Sequence, residues 1–312
     1  MSPTATRRKA AEPNAGADQR IEVLKTYKLY IGGAFPRSES GRSYEVTDSR
    51  GRFLANAAMG SRKDARDAVV AARGAFGKWA TATAYNRGQV LYRVAELMEG
   101  RRAQFTAEVA AAEGLTPARA DKVVSQSIDR WVWYAGWSDK LAQVLGGVNP
   151  VAGPYFNISA PEPTGVVAAL APQRSSLLGL VSVLAPIIVS GNTTVVLTSE
   201  HRPLPAVTLA EVLATSDVPA GVINLITGRT AEVAPWLASH QDVNAIDLAG
   251  AADADGLSWG DLERAAAENL KRVLRPAGND ADAVEPDWSR TPDLTRMKAY
   301  LETKTVWHPK GR

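Results

Sequence analysis

The residue types that most often carry catalysis are scarce in this chain of 312 residues. It contains no cysteine, which excludes a thiolate nucleophile, a disulfide framework and a cysteine metal site. The only histidines are His201, His240 and His308, so a site built from several histidine ligands is not expected. Ser175 and Ser176 could pair with His201, but neither serine lies in the G-x-S-x-G turn of a serine hydrolase. We therefore expect neither a hydrolase site nor a metal site.

Composition and charge indicate a globular protein without a nucleic-acid or membrane partner. The hydrophobic share of 45% and the charged share of 22% are typical of a folded chain. The net charge is only +3, and no basic stripe with interleaved aromatic residues is present. No apolar run is long enough to span a membrane. Residues 1–25 predict a disordered leader without the apolar core of a signal peptide, so a cytoplasmic protein is expected.

Helical spacing of apolar residues dominates the first half of the chain. Ser61 and Asp64 are spaced as a capping box at the start of a first helix. A second helix is predicted over residues 90–98, and a third ends at Gly114. Pro117 is placed as the first residue of a fourth. Upstream of these helices, the alternating run YKLYIGGAF predicts an edge strand followed by a turn.

The second half alternates short apolar strands with helices. Strands are predicted at 165–170, 192–197, 220–226 and 243–248, and helices at 177–189, 206–214, 231–238 and 261–273. This alternation indicates βαβ units and a parallel sheet. Before it, Gly and Pro punctuate residues 146–164, which predict a β-hairpin that leaves the main body. Residues 300–307 predict a final strand.

Several segments, in order along the chain, resemble the aldehyde dehydrogenase superfamily. They are YKLYIGGAF (27–35), GAFGKW (74–79), YAGWSDKL (134–141), GVVAALAP (165–172), APIIVSGNTTVVL (185–197), VPAGVINLITG (218–228), SHQDVNAIDLAG (239–250) and ENLKRV (268–273). The tail TRMKAYLETKTVW (295–307) is similar to the end of such enzymes, where a final strand joins a subunit interface. The resemblance implies an α/β fold, with a Rossmann-like parallel sheet, an N-terminal helical part and a β oligomerisation arm.

The resemblance also implies that a domain is missing. A catalytic domain of at least about 100 residues is expected between residues 273 and 300, where this chain is far shorter. The implied organisation is a leader (1–25), an NAD(P)-binding-type domain (26–275) with an oligomerisation hairpin (146–164), a linker in place of the catalytic domain (276–294) and a C-terminal oligomerisation strand (295–312).

The catalytic positions of the family are replaced. The family attacks an aldehyde with a cysteine thiolate, transfers hydride to NAD(P) and hydrolyses the thioester with a base-activated water. By resemblance, Arg174 stands where the family has its oxyanion-stabilising Asn, and Pro276 stands where it has its general-base Glu. With no cysteine present, we predict no catalytic residue and a pseudoenzyme.

The cofactor positions are eroded as well. By resemblance, Glu200, Gly228 and Gly250 are vestiges of the site that binds NAD(P), while a lysine, several glycines and two hydroxyls are lost. Asp253 and Asp255 add negative charge, which opposes a phosphate. We therefore expect no bound cofactor. The alternative is an NAD(P)-binding sensor or a residual oxidoreductase of aldehyde dehydrogenase type.

The leading hypothesis is a non-catalytic subunit. The chain would assemble with itself, with a full-length catalytic aldehyde dehydrogenase, or with both, and would stabilise or regulate that enzyme. The residues expected at the interface come from the hairpin and from the final strand, whose unpaired edges would otherwise be exposed. They are Tyr155, Phe156, Ile158, Tyr300, Leu301, Val306 and Trp307.

Overall fold

A small three-stranded sheet opens the structure, a computed structural model that describes residues 24–275 and 285–311. Its strands are β1 (Thr26–Tyr27), β2 (Ser43–Thr47) and β3 (Phe53–Ala58), in the order β1-β3-β2. The sequence patterns did not predict β2 or β3. The turn predicted in the run 27–35 is confirmed at Gly32 and Gly33, which both have positive φ, but the strand before it is short and ends at Tyr27.

Four long helices and one short helix follow. They are α1 (Arg62–Thr81), α2 (Ala84–Gly100), α3 (Arg102–Glu113), α4 (Pro117–Ala135) and α5 (Leu141–Leu145). The capping box is confirmed, since the Ser61 hydroxyl accepts from the Asp64 N–H and Asp64 accepts from the Ser61 N–H. Gly114 ends α3 in a left-handed conformation, as predicted. Within the described ranges, no helix is long and apolar enough to cross a membrane.

The predicted α/β region is confirmed as a five-stranded parallel sheet. Its elements are β6 (Val166–Leu170), α6 (Leu178–Val189), β7 (Thr193–Leu197), α7 (Leu204–Thr215), β8 (Ile223–Ile226), α8 (Thr230–Ser239), β9 (Ala245–Asp247), α9 (Trp259–Ala267) and β10 (Arg272–Leu274). The strand order is β10-β9-β6-β7-β8. All neighbours run parallel, and β6 and β7 are fully buried, as their continuous apolar sequences indicate.

One helix prediction is wrong at its end. The pattern predicted a helix over 261–273, but α9 stops at Ala267 and the chain becomes β10, which pairs with β9. Leu270 between them has φ +58°, a left-handed conformation that cannot continue a right-handed helix. β10 is therefore the edge strand of the sheet, and the helical spacing of residues 261–273 did not predict it.

The predicted hairpin and final strand form one sheet, the arm sheet, which stands apart from the parallel sheet. It contains β4 (Gly147–Asn149), β5 (Tyr155–Pro163) and β11 (Leu301–Pro309), in the order β11-β5-β4. The short helix α10 (Thr295–Ala299) leads into β11. The final strand is antiparallel to β5 over nine residue pairs, so one of its edges is already satisfied within the chain.

Candidate functional site

The carboxyl ends of the parallel strands hold most of the positions that the resemblance links to chemistry. Glu200 follows β7 there, and its carboxylate already has partners within the chain. Its Oε2 accepts the Thr230 backbone N–H, the first of α8, at 3.0 Å, and its Oε1 pairs with the Arg229 guanidinium. A helix N-terminus is where α/β folds commonly place a phosphate. At α8 this position is taken by a carboxylate of the chain itself.

The two vestigial glycines have packing reasons to be glycine. Gly228 has φ +141°, and a Cβ there would lie 3.0 Å from the Gly60 nitrogen. A Cβ on Gly250 would collide with the carbonyl oxygen of Ala171, at the end of β6. Both residues let two backbone segments approach closely. Their retention is therefore explained without a bound cofactor.

Arg174, at the position of the family's Asn, is also engaged in contacts with the rest of the chain. Its Nη2 lies 2.5 Å from Asp253 Oδ1, and its backbone N–H donates to Glu285 Oε1 at 2.6 Å. The Arg174 carbonyl oxygen accepts from the Arg202 guanidinium. The guanidinium that could meet an oxyanion is thus paired with a carboxylate. Pro276, at the general-base position, lies outside the described residues.

Residues 285–300, here called the cover segment, lie against the carboxyl ends of the same parallel strands. Asp247, the last residue of β9, is fully buried and forms an ion pair with Arg296. The Tyr300 hydroxyl donates to Asp247 Oδ2 at 2.5 Å, and the Ala249 N–H donates to Oδ1 at 2.9 Å. Burial holds the pKa of the Tyr300 hydroxyl well above its usual value, and the negative charge of Asp247 acts in the same direction. This cluster attaches the cover segment to the sheet.

A second attachment runs through α4. The Arg130 guanidinium donates to the carbonyl oxygens of Trp288 and Arg290 at 2.8 and 2.9 Å, and to the Ser182 hydroxyl at 2.6 Å. The sequence patterns predicted neither this contact nor the Asp247 cluster. A signal was available for one of them, because a carboxylate at the end of an otherwise apolar buried strand requires a partner.

The arm sheet divides the predicted interface residues between its two faces. Directly opposed residues of an antiparallel pair share a face. Ile158 lies opposite both Val306 and Val148, and Phe156 shares that face two residues away along β5. These four apolar side chains are 45% to 70% exposed. We call them the apolar face. Val148 was not predicted from the sequence to lie on this face.

The other predicted interface residues lie elsewhere. Tyr155 and Trp307 pack edge to face on the opposite side of the arm sheet, with ring centroids 5.8 Å apart. Leu301 is half-buried opposite Pro163. The prediction that Tyr300 lies at the interface is wrong, because its side chain is only 1% exposed and lies within the chain beside Asp247.

The structure places no three His, Asp or Glu side chains close enough to hold a metal ion in the ranges that it describes. Three ion pairs lie at the carboxyl ends of the strands: Glu200 with Arg229, Asp253 with Arg174, and Asp247 with Arg296.

Comparison with known proteins gives a consistent family. The profile described as "Aldehyde dehydrogenase family" matches residues 35–297. An aldehyde dehydrogenase of Enchytraeus buchholzi is 31% identical over 283 residues, covering 88% of this chain and 55% of the relative. The mitochondrial aldehyde dehydrogenase family 2 member B4 of Arabidopsis thaliana is 33% identical over 275 residues, covering 85% and 48%. The chain thus spans about half the length of these curated relatives.

Solved structures agree with the sequence matches. The NAD+ complex of the aldehyde dehydrogenase from Bacillus cereus superposes with a TM-score of 0.73 at 26% sequence identity. The match covers 80% of this chain and 50% of that one. The HpcC structure from Thermus thermophilus gives the same TM-score at 27% identity, covering 80% of this chain and 47% of that one.

Proposed function

The chain belongs to the aldehyde dehydrogenase family, and we propose that it acts as a non-catalytic subunit that assembles with a full-length catalytic aldehyde dehydrogenase and stabilises or regulates it. The observation that carries this proposal is a contrast within the chain. The positions linked to chemistry are replaced or engaged in internal contacts. In the arm sheet, by contrast, β5 and β11 pair with each other over nine residue pairs, and the apolar face is exposed.

The loss of catalysis is supported by the residues present. These 312 residues offer no thiol. Arg174 is ion-paired with Asp253, and Pro276 has no side-chain group that can take up a proton. Strands β10 and β11 are joined by residues 275–300, of which the cover segment lies on the sheet edge. We infer that the cover segment stands in place of the family's catalytic domain.

The residues at the sheet edge do not fit NAD(P). A cofactor pyrophosphate at the N-terminus of α8 would have to displace Glu200 from Thr230 and Arg229. Asp253 and Asp255, in the turn that follows β9, oppose a phosphate at that turn. The intact parallel sheet and Glu200, which the resemblance links to the cofactor site, support the alternative of an NAD(P)-binding sensor or a residual oxidoreductase.

Calorimetric titration with NAD and NADP separates the two functions. The proposal expects no saturable binding, because the anion position is occupied by a carboxylate. Binding tighter than about 100 μM, which corresponds to roughly −5.5 kcal/mol, would favour the sensor instead.

The apolar face supports assembly. Contiguous exposed apolar side chains on a sheet mark an interaction surface more often than a solvated one. In this family the corresponding arm belongs to a subunit interface, so the partner that fits this chain best is another member of the family, with a second copy of the chain as a further partner.

Co-expression with the full-length aldehyde dehydrogenases of the same organism tests the assembly. Tagged wild-type chain should retain one of them on affinity resin. Val306→Lys adds a charge to the apolar face at an exposed position, so it should abolish retention with the fold intact. Val70→Lys is the matched control, since Val70 is an exposed valine of α1 outside the arm sheet. Equal retention by both variants would show that the arm sheet is not the interface.

A further inference from the structure

A cavity of about 310 Å³ lies between α4, α6, the end of β10 and the cover segment. It sits at the carboxyl ends of the parallel strands. The chain places β7 and β8 on one side of β6 and then returns to place β9 and β10 on the other. In open α/β sheets, ligands bind in the crevice at such a reversal. The volume lies within the range of small-molecule pockets, which begins at about 300 Å³.

The cavity has mixed walls. Apolar and aromatic side chains come from Tyr134, Leu274 and Trp288, while Ser182 and Thr295 contribute hydroxyls. This combination suits a small organic molecule with one polar end, since apolar walls bind a body and a few convergent polar groups orient it.

Most, but not all, of the arginines in the cavity wall form ion pairs with carboxylates. Four arginines and two aspartates line it. Three of the arginines have carboxylate partners: Arg275 with Glu263, Arg290 with Asp287, and Arg296 with Asp247.

Among the described residues, the fourth arginine, Arg130, has no carboxylate partner. Its side chain is 7% exposed and contacts neutral acceptors only, with no carboxylate within 4 Å in the parts of the chain that are described. Burial lowers the pKa of Arg130, and the Arg296 charge acts in the same direction. A buried charge without a counter-charge is costly, and an anion beside it would offset that cost.

We propose that this cavity binds a small organic monocarboxylate, with Arg130 as its charge partner. Arg130 is a buried guanidinium that can match one negative charge, whereas Asp293, the carboxylate of the wall without a basic partner among the described residues, is exposed to solvent. Asp287 and Asp293 in the same wall disfavour a dianion such as phosphate. The apolar walls accept the hydrocarbon body, and Ser182 lies within hydrogen-bond distance of Arg130, at the polar end. The site is independent of the proposed assembly, because it is built from this chain alone.

Isothermal titration of the full chain with benzoate tests the site, with benzamide as the uncharged ligand of matched shape and inorganic phosphate as the dianion. Benzoate should bind saturably. Benzamide should bind at least about tenfold more weakly, because it lacks the charge that strengthens a hydrogen bond to a guanidinium. No binding of benzoate, equal binding of benzamide, or tighter binding of phosphate would overturn the proposal.

Two variants locate the binding. Arg130→Gln removes the charge and should weaken benzoate by about tenfold or more, whereas Arg66→Gln, at an exposed arginine paired with Asp67, should not. Thr291→Trp fills the cavity from its exposed rim without altering Arg130, and it should also abolish binding. It keeps the proposal testable if Arg130→Gln does not fold. Unchanged affinity in a folded form of either cavity variant would contradict the assignment.

Discussion

At the scale of single residues, the positions that resemble a cofactor site have structural reasons to exist. Glu200 binds the first N–H of α8, and Gly250 allows a backbone turn to approach the end of β6. Retention of such residues would be misleading evidence for cofactor binding. The carboxylate and the glycine both make contacts within the fold that do not involve a cofactor.

Gly250→Ala tests this view of the glycines. The added methyl group would collide with the Ala171 carbonyl oxygen, so we expect a loss of about 2 kcal/mol in the free energy of unfolding. Gly74→Ala is the matched control, because a Cβ on Gly74 meets nothing within 4 Å in the middle of α1. That variant should gain roughly 0.5–1 kcal/mol. Urea denaturation measures both, and equal effects would refute the packing explanation.

Glu108 makes stability depend on pH. Its carboxylate accepts from Thr208 at 2.8 Å and from Gln104 at 3.1 Å, while its Oε2 is buried without a partner in the described structure. Burial raises the pKa of Glu108. The folded chain therefore holds this proton more tightly than the unfolded chain. The resulting stabilisation is complete below the unfolded pKa and is lost as pH rises through the folded value.

Glu108→Gln should remove this dependence. As pH falls from 7 to 5, the free energy of unfolding of the wild type should rise relative to the variant, by no more than about 1.4 kcal/mol per pH unit for one proton. Urea denaturation at pH 5, 6 and 7 measures the free energy of unfolding of both proteins. The same difference between them at all three pH values would contradict this account.

At the scale of elements, the sequence predicted what depends on local pattern. The capping box at Ser61, the left-handed stop at Gly114 and the alternation of strands and helices were all readable. The end of α9 was not, because Leu270 carries no sequence mark of a left-handed residue. The attachment of the cover segment was also hidden, because Asp247 and Arg296 are far apart along the chain.

Asp247→Asn tests whether this attachment stabilises the molecule. It leaves Arg296 nearly buried without its counter-charge, and breaking a buried pair typically costs about 3 kcal/mol or more. Asp67→Asn is the control, because its pair with Arg66 is exposed and should contribute less than about 1 kcal/mol. If chemical denaturation gives the two variants equal stability, the cover segment is held by other contacts.

At the scale of the whole molecule, the chain combines a five-stranded parallel sheet with a three-stranded arm sheet, and the cover segment leads into the last strand of the arm sheet. The residues predicted at the interface do not lie on one surface. Those of the arm sheet lie on both of its faces, and Tyr300 lies in the interior. The four side chains of the apolar face stay exposed, and they carry the proposal that the chain assembles with another protein.

The mass of the complex recovered with the tagged chain tests that claim most directly. Native mass spectrometry after co-expression with the full-length aldehyde dehydrogenases of the same organism should give a mixed oligomer that contains both chains in a fixed ratio. The Val306→Lys variant should give this chain without the enzyme. Recovery of the wild-type chain alone, or only in oligomers of itself, would contradict the account.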